Sequence, residues 1–316
     1  MELRRFATTD LRVSKLGLGC ARIGGIFQRD SSGFVDLLSA ARDGGINFFD
    51  TADIYCQGES ETLLGRAFRR QRDRIVIASK AGYVLPAQRR VVARLKPWVR
   101  PLISLLRIRR DLVPAAVRGS PAQDFSSAHL QRAVEGSLRR LGTDYLDLLQ
   151  LHSPPADVVE RGEWQEALDA LKRAGKIRYY GVSCDTVEAA LAALRFPGVS
   201  VLQLPISLLD RRFVEPLLPR ARERGVATIA RECLANGVLA RAPEDSDLEA
   251  SGRSSGEEAL RARQLAEYRQ RAAANGSTLA RLALEYVIGL EGVSVTLIGV
   301  SKREQLDSLL ADVLAR

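Results

Sequence analysis

One pattern recurs eight times along this chain of 316 residues: a short apolar run followed by a stretch with helical periodicity. The apolar runs are Lys15–Cys20, Asn47–Thr51, Arg74–Lys80, Leu146–His152, Tyr179–Ser183, Val201–Leu204, Ala227–Arg231 and Val295–Ile298. They are short, often β-branched and apolar at successive positions, as parallel strands covered on both faces must be. Amphipathic helical patterns follow at Phe34–Asp43, Ser60–Arg69, Ala128–Leu141, Trp164–Ala174, Val187–Ala193, Val214–Arg224, Thr278–Ile288 and Glu304–Ala315. Gly44-Gly45, Gly142, Gly175 and Gly225 stand where such helices would stop. Eight strand–helix alternations in about 300 residues predict an α/β chain closed into a (β/α)8 TIM barrel with long βα loops, one domain over residues 1–316. Leu3–Phe6 and Leu11–Val13 predict an N-terminal β-hairpin ahead of the first barrel strand. A doubly wound dinucleotide fold would place GxGxxG after its first strand. Gly17-Leu18-Gly19-Cys20-Ala21-Arg22 puts arginine at the third glycine, so that fingerprint fails.

The net charge of +9 is concentrated. Residues Pro86–Ser120 hold nine basic side chains and one acid, so the rest of the chain is close to neutral. That distribution argues against a nucleic-acid binder, which would carry its cations over a whole face. No apolar run reaches the roughly 20 residues of a bilayer span, and the start, Met1-Glu2-Leu3-Arg4-Arg5, lacks the apolar core of a signal peptide. The expectation is a cytoplasmic protein. Cys20, Cys56, Cys184 and Cys233 show no CxxC or CxH spacing, so no metal site is predicted. They read as free thiols of a reducing compartment. No pattern specifies an oligomeric state.

In a barrel the reactive groups sit at the C-terminal ends of the strands. Asp50 ends the second run, Tyr55 lies in the loop after it, Lys80 ends the third and His152 the fourth. Alone, each has an ordinary explanation as a helix cap, packing, a solvated cation or a structural imidazole. Together they make a proton donor. A phenol is a poor acid at neutral pH, and an ammonium beside it favours the phenolate. Lys80 is expected to lower the Tyr55 pKa, Asp50 to hold Lys80 charged, and His152 to orient a substrate oxygen.

The stretch Gly45-Ile46-Asn47-Phe48-Phe49-Asp50-Thr51-Ala52-Asp53-Ile54-Tyr55, continued by Gly58-Glu59-Ser60-Glu61, resembles the first signature of the aldo-keto reductase family. Ile77–Lys80, Asp147–His152, Gly175–Ser183 and Thr296–Ser301 extend the resemblance over essentially the whole chain. It implies a TIM-type barrel that binds an extended nicotinamide cofactor, with Asp50, Tyr55, Lys80 and His152 as the catalytic tetrad. It further implies that Ser183 and Gln203 meet the nicotinamide carboxamide. Cys184 stands where the family has asparagine, and Ile206 where this branch often has a ring-stacking tyrosine. Leu234 and Gly237 fall in the loop that crosses the pyrophosphate. Gly299, Ser301, Lys302, Arg303 and Gln305 belong to the segment at the adenosine end, where Lys302 or Arg303 would pair with a 2′-phosphate. That favours NADP(H) over NAD(H). Leu309 replaces the asparagine expected near adenine.

The implied activity is interconversion of carbonyls (aldehydes, ketones or sugars) and alcohols, with a small-molecule substrate. The family also includes channel-associated subunits, so a cofactor-binding regulatory module is the alternative. The four cysteines all fall near the C-terminal face, where they read either as a redox-tuned thiol group or as small packing residues. The basic segment Pro86–Ser120 lies between the third strand and its helix, and Pro97 and Pro101 break any single helix there. It reads as a lid over the substrate mouth, or as a surface for an anionic membrane or an acidic partner.

Overall fold

The computed structural model describes residues 1–24, 32–84, 122–240 and 256–314. Strands β1 (Leu3–Arg5) and β2 (Arg12–Ser14) pair antiparallel as a hairpin. Next come β3 (Leu16–Gly19), β4 (Phe48–Asp50), β5 (Val76–Ala81), β6 (Tyr83–Val84), β7 (Ala122–Gln123), β8 (Leu146–His152), β9 (Ile177–Ser183), β10 (Val199–Pro205), β11 (Ala227–Arg231) and β12 (Val293–Ile298). Eight of these close a parallel barrel in the order β3-β4-β5-β8-β9-β10-β11-β12, and β12 pairs back onto β3 through Leu297 opposite Gly17. The TIM barrel expected from the alternation is therefore the fold. All eight predicted runs are its strands, displaced by at most two residues at their ends.

Helices cover the barrel where the apolar period predicts them. Helix Ser127–Leu141 starts on Ser126, whose hydroxyl accepts the His129 N–H at 3.3 Å, and stops at Gly142 with φ 65°. A left-handed residue there lets the Gly142 N–H reach Leu138 O at 2.8 Å. Thr186 and Thr278 cap Val187–Ala193 and Leu279–Gly289 in the same way. Two helices, Ala156–Arg161 and Gly256–Ala274, are additional to those predicted.

The core has two layers. The larger lies between strands and helices. The smaller fills the barrel, with Phe48, Val76, Leu148, Val201, Ile229 and Val295 pointing inward. Phe6, Leu11 and Val13 of the hairpin join this inner cluster, with the Phe6 and Phe48 rings 5.9 Å apart. The hairpin thereby plugs the N-terminal mouth, next to the first residues of β4 and β5. The opposite mouth, at the strand C-termini, is left for polar side chains.

The basic segment 86–120 lies outside the described residues. Its base is visible: β6 and β7 pair antiparallel, Tyr83 opposite Gln123 and Val84 opposite Ala122. No helix of the described residues is long and apolar enough to cross a membrane.

Candidate active site

A cavity of about 830 Å³ opens at the C-terminal mouth. Asp50, Tyr55, Lys80 and His152 all line it. The loop that carries Tyr55 is fixed from both sides. Thr51 N–H donates to Ala78 O and Asp53 N–H to Lys80 O, which ties the loop to β5. Beyond Tyr55, Ser60 Oγ donates to Cys20 O at 2.9 Å, and Glu61 accepts from Ser79 Oγ at 2.6 Å and from Arg140 Nε at 2.7 Å. Cys56 and Gln57 are left-handed, with φ of 49° and 62°. Backbone of this kind persists where its surroundings over-determine it, and here the bonds to Ser60 and Glu61 do so.

Lys80 is wholly buried. Its ammonium donates to Asp50 Oδ2 at 2.5 Å and to Thr51 O at 3.1 Å, and lies 5.1 Å from the centre of the Tyr55 ring. Burial pulls the Lys80 pKa down, but Asp50 and Tyr55 reverse this, and the net position is above the ordinary lysine value. Asp50 also accepts Gln203 Nε2 at 2.7 Å and Gln150 Nε2 at 3.3 Å on Oδ1. One carboxylate therefore aligns both the ammonium and the Gln203 amide, whose oxygen accepts from Ser183 Oγ at 3.3 Å.

The Tyr55 phenol departs from expectation. Burial raises its pKa and outweighs the lowering by Lys80, while Asp50 adds to the rise. The result is a phenol above 10, not below it. Lys80 reduces the cost of the phenolate without making it the resting form. His152 is shifted the other way. Burial first, then the charges of Lys80 and Arg231, hold its pKa well below 6.5, so the ring is neutral. Its Nδ1 is buried with no hydrogen-bond partner among the described residues. The His152 ring stands edge-on to Tyr55 at 5.7 Å and to Tyr83 at 4.7 Å. Gln123 Nε2 donates to the carbonyls of His152 and Ser153 at 3.3 and 2.8 Å, so the base of the basic segment braces this histidine.

The residues expected at a cofactor separate into two groups. Ser183, Gln203, Leu234, Gly237, Gly299, Ser301 and Gln305 line the cavity. A Cβ built on Gly237 or Gly299 meets nothing within 4 Å, so both leave open space there. Cys184 and Ile206 do not line it; both are fully buried in the layer between strands and helices. Successive residues at a strand end face opposite ways, and Ser183 takes the inward position. Lys302 and Arg303, on which the expectation of NADP(H) rested, are exposed and also absent from the described lining. Cys20, Cys184 and Cys233 are buried, and burial pushes their thiols up, Cys233 to about 12. Reactivity needs a thiolate, which burial disfavours at these three, and of them Cys233 alone lines the cavity.

Arg231 is a further charged residue of the site. It ends β11, lines the cavity and is ion-paired with Asp185 and Glu232. An arginine closing an apolar run reads as a solvated end; what marks it is its place at the C-terminal end of a barrel strand, where His152 also stands. Ser308, Leu309 and Asp312 of the last helix, Arg303–Leu314, line the cavity as well.

The parallel barrel thus gathers a buried lysine–carboxylate pair, a phenol and a neutral imidazole, groups able to give and take protons, at the C-terminal mouth of a TIM scaffold. The sequence profile of the aldo/keto reductase family matches residues 15–314, and the chain belongs to that family of oxidoreductases. It is 31% identical to the uncharacterized oxidoreductase YqkF of Bacillus subtilis, over 97% of this chain and 89% of that one. Among solved structures it is similar to the holo form of aldo-keto reductase AKR11C1 from Bacillus halodurans, with TM-score 0.80, 30% identity, and 100% and 92% of the two chains covered. It is also similar to an aldo/keto reductase from Klebsiella pneumoniae in complex with NADP and acetate, with TM-score 0.66, 27% identity, and 96% and 86% covered.

Proposed function

We propose that this chain interconverts carbonyls and alcohols with a nicotinamide dinucleotide, and that Tyr55 gives or takes the proton. The observation that carries this reading is the convergence of Tyr55, Lys80, Asp50 and His152 on one wall of a cavity with room for a dinucleotide. The bound nicotinamide would supply or accept the hydride. Ser183 and Gln203 would orient its carboxamide, since a hydroxyl and an amide offer the donor and acceptor that group needs. Leu234 and Gly237 would flank the pyrophosphate, with Gly237 at φ 98° giving close backbone access.

The remaining steps belong to the side chains. Tyr55 rests protonated, as a donor must. When its proton passes to a carbonyl oxygen, the phenolate left behind faces the Lys80 ammonium, which Asp50 keeps charged. Neutral His152 carries one N–H with which to hold the substrate oxygen in line. Placed acid catalysis of this kind typically contributes ~10²–10⁴ in rate. Aldehydes, ketones and open-chain sugars fit this chemistry.

The test is oxidation of reduced nicotinamide cofactor by the full chain across a panel of small aldehydes. Aldehyde-dependent consumption is the expected result. Tight cofactor binding with no consumption across the panel would overturn the reading in favour of a regulatory binding module.

A further inference from the structure

We infer that the adenosine end of the cavity is built for a free 2′-hydroxyl, so that this chain prefers NAD(H) to NADP(H), with Asp312 as the discriminating side chain. The inference rests on the dinucleotide reading above. If the reactive ring lies against Tyr55, the other nucleoside must occupy the part of the cavity lined by the last helix and by Thr278 and Ala280.

That wall is one helix face. Gln305, Ser308, Leu309 and Asp312 follow at i, i+3, i+4 and i+7, the spacing that stacks side chains on one side. Asp312 lies nine residues beyond Arg303, roughly 13 Å along the helix axis. The face bears a neutral amide, a hydroxyl, an aliphatic group and a carboxylate. Among the described residues it bears no cation.

Lys302 and Arg303, the two basic side chains at the start of this helix, do not line the cavity, whose described cations are Arg22, Lys80 and Arg231. Arg303 Nε donates to the two Asp307 oxygens at 2.8 and 2.9 Å in an exposed i,i+4 pair. The N–H groups of Ser301 and Lys302 are the natural anion donors at a helix start. Both donate instead to Gln305 Oε1, at 3.0 and 3.2 Å. At the far end Asp312 Oδ2 accepts Thr278 Oγ1 at 3.1 Å, which holds the carboxylate against the cavity wall. A carboxylate is an acceptor only. It receives a ribose hydroxyl or an exocyclic amine well and repels a phosphate dianion.

Equilibrium binding to the full chain tests this without turnover. The probes are NADH and NADPH, together with ADP and adenosine 2′,5′-bisphosphate, which sample the adenosine end alone. NADH is expected to bind at least about tenfold more tightly than NADPH, and ADP more tightly than the bisphosphate. Asp312→Asn keeps the shape and removes the charge. It should narrow both ratios by about threefold or more, chiefly by improving the phosphorylated ligands. NADPH binding as tightly as NADH, or more tightly, would overturn the preference. A preference unmoved by Asp312→Asn would overturn the role of that residue. Failure of all four ligands to bind would reject the dinucleotide reading itself, and so is distinguishable from the other results.

Discussion

At the level of single residues, burial is the largest influence on the protonation of the candidate site's phenol and imidazole. Tyr55 is kept as a phenol and His152 as a neutral imidazole, although both face the same lysine. For His152 the consequence is a pH profile. Its charged form is disfavoured, so kcat/KM should show no break near the ordinary imidazole value of about 6.5. A break there that His152→Gln abolished would contradict the assignment. Asp53, two residues before Tyr55, is the opposite case. Its Oδ1 is buried with no partner among the described residues, and burial, reinforced by Glu61, pushes the carboxyl up to about 8. The folded chain then retains a proton that the unfolded chain releases from the ordinary carboxylate range upward. Stability is therefore lost as pH rises toward about 8. Asp53→Asn should raise Tm relative to the parent at about pH 8 and much less at about pH 4. Thermal unfolding of the two proteins at both pH values measures this, and an equal shift at both would contradict it.

The elements place these residues through close backbone approach as much as through side-chain packing. A Cβ on Gly181 in β9 would stand 1.9 Å from Val201 O of β10. The contact is with backbone, so neither strand can yield locally. Gly181→Ala is expected to cost about 3 kcal/mol in denaturant unfolding and to weaken cofactor binding, since Ser183 and Gln203 lie two residues beyond the clash. An unchanged midpoint would show that the two strands are not so closely registered. The strands were legible in the sequence because residues buried on both faces leave continuous apolar runs. Helix Gly256–Ala274 was not, since of its described residues only Leu265 and Ala272 are buried. Its alanine, glutamate, arginine and glutamine favour a helix, but few apolar positions mark a face. The end of each run also hides which way a residue points: Cys184 and Ile206, expected beside the cofactor, are buried in the layer between strands and helices.

Over the whole molecule the barrel separates stability from chemistry. The N-terminal mouth is closed by Phe6, Leu11 and Val13, and the C-terminal mouth holds the charges. Phe6→Ala should therefore lower the unfolding free energy by about 3–5 kcal/mol while leaving KM for an aldehyde unchanged. A raised KM with unchanged stability would place the plug wrongly. The four residues were legible because Asp50, Lys80 and His152 stand at or next to the ends of apolar strands, and Tyr55 in the loop after one of them, where a barrel keeps its active site. The charge of the adenosine wall was not, because its neutral and acidic residues are interleaved in sequence with Arg303 and Asp307, which do not line the cavity. Only the helix, once placed, sorts them. The central claim is that Tyr55 transfers the proton and does not merely line the cavity. Single-turnover reduction of an aldehyde by the cofactor-loaded parent and by Tyr55→Phe, with cofactor Kd measured in parallel, tests it most directly. The account predicts an unchanged Kd and a rate at least about 100-fold lower. A Tyr55→Phe enzyme that binds cofactor normally and turns over at the parent rate would contradict it.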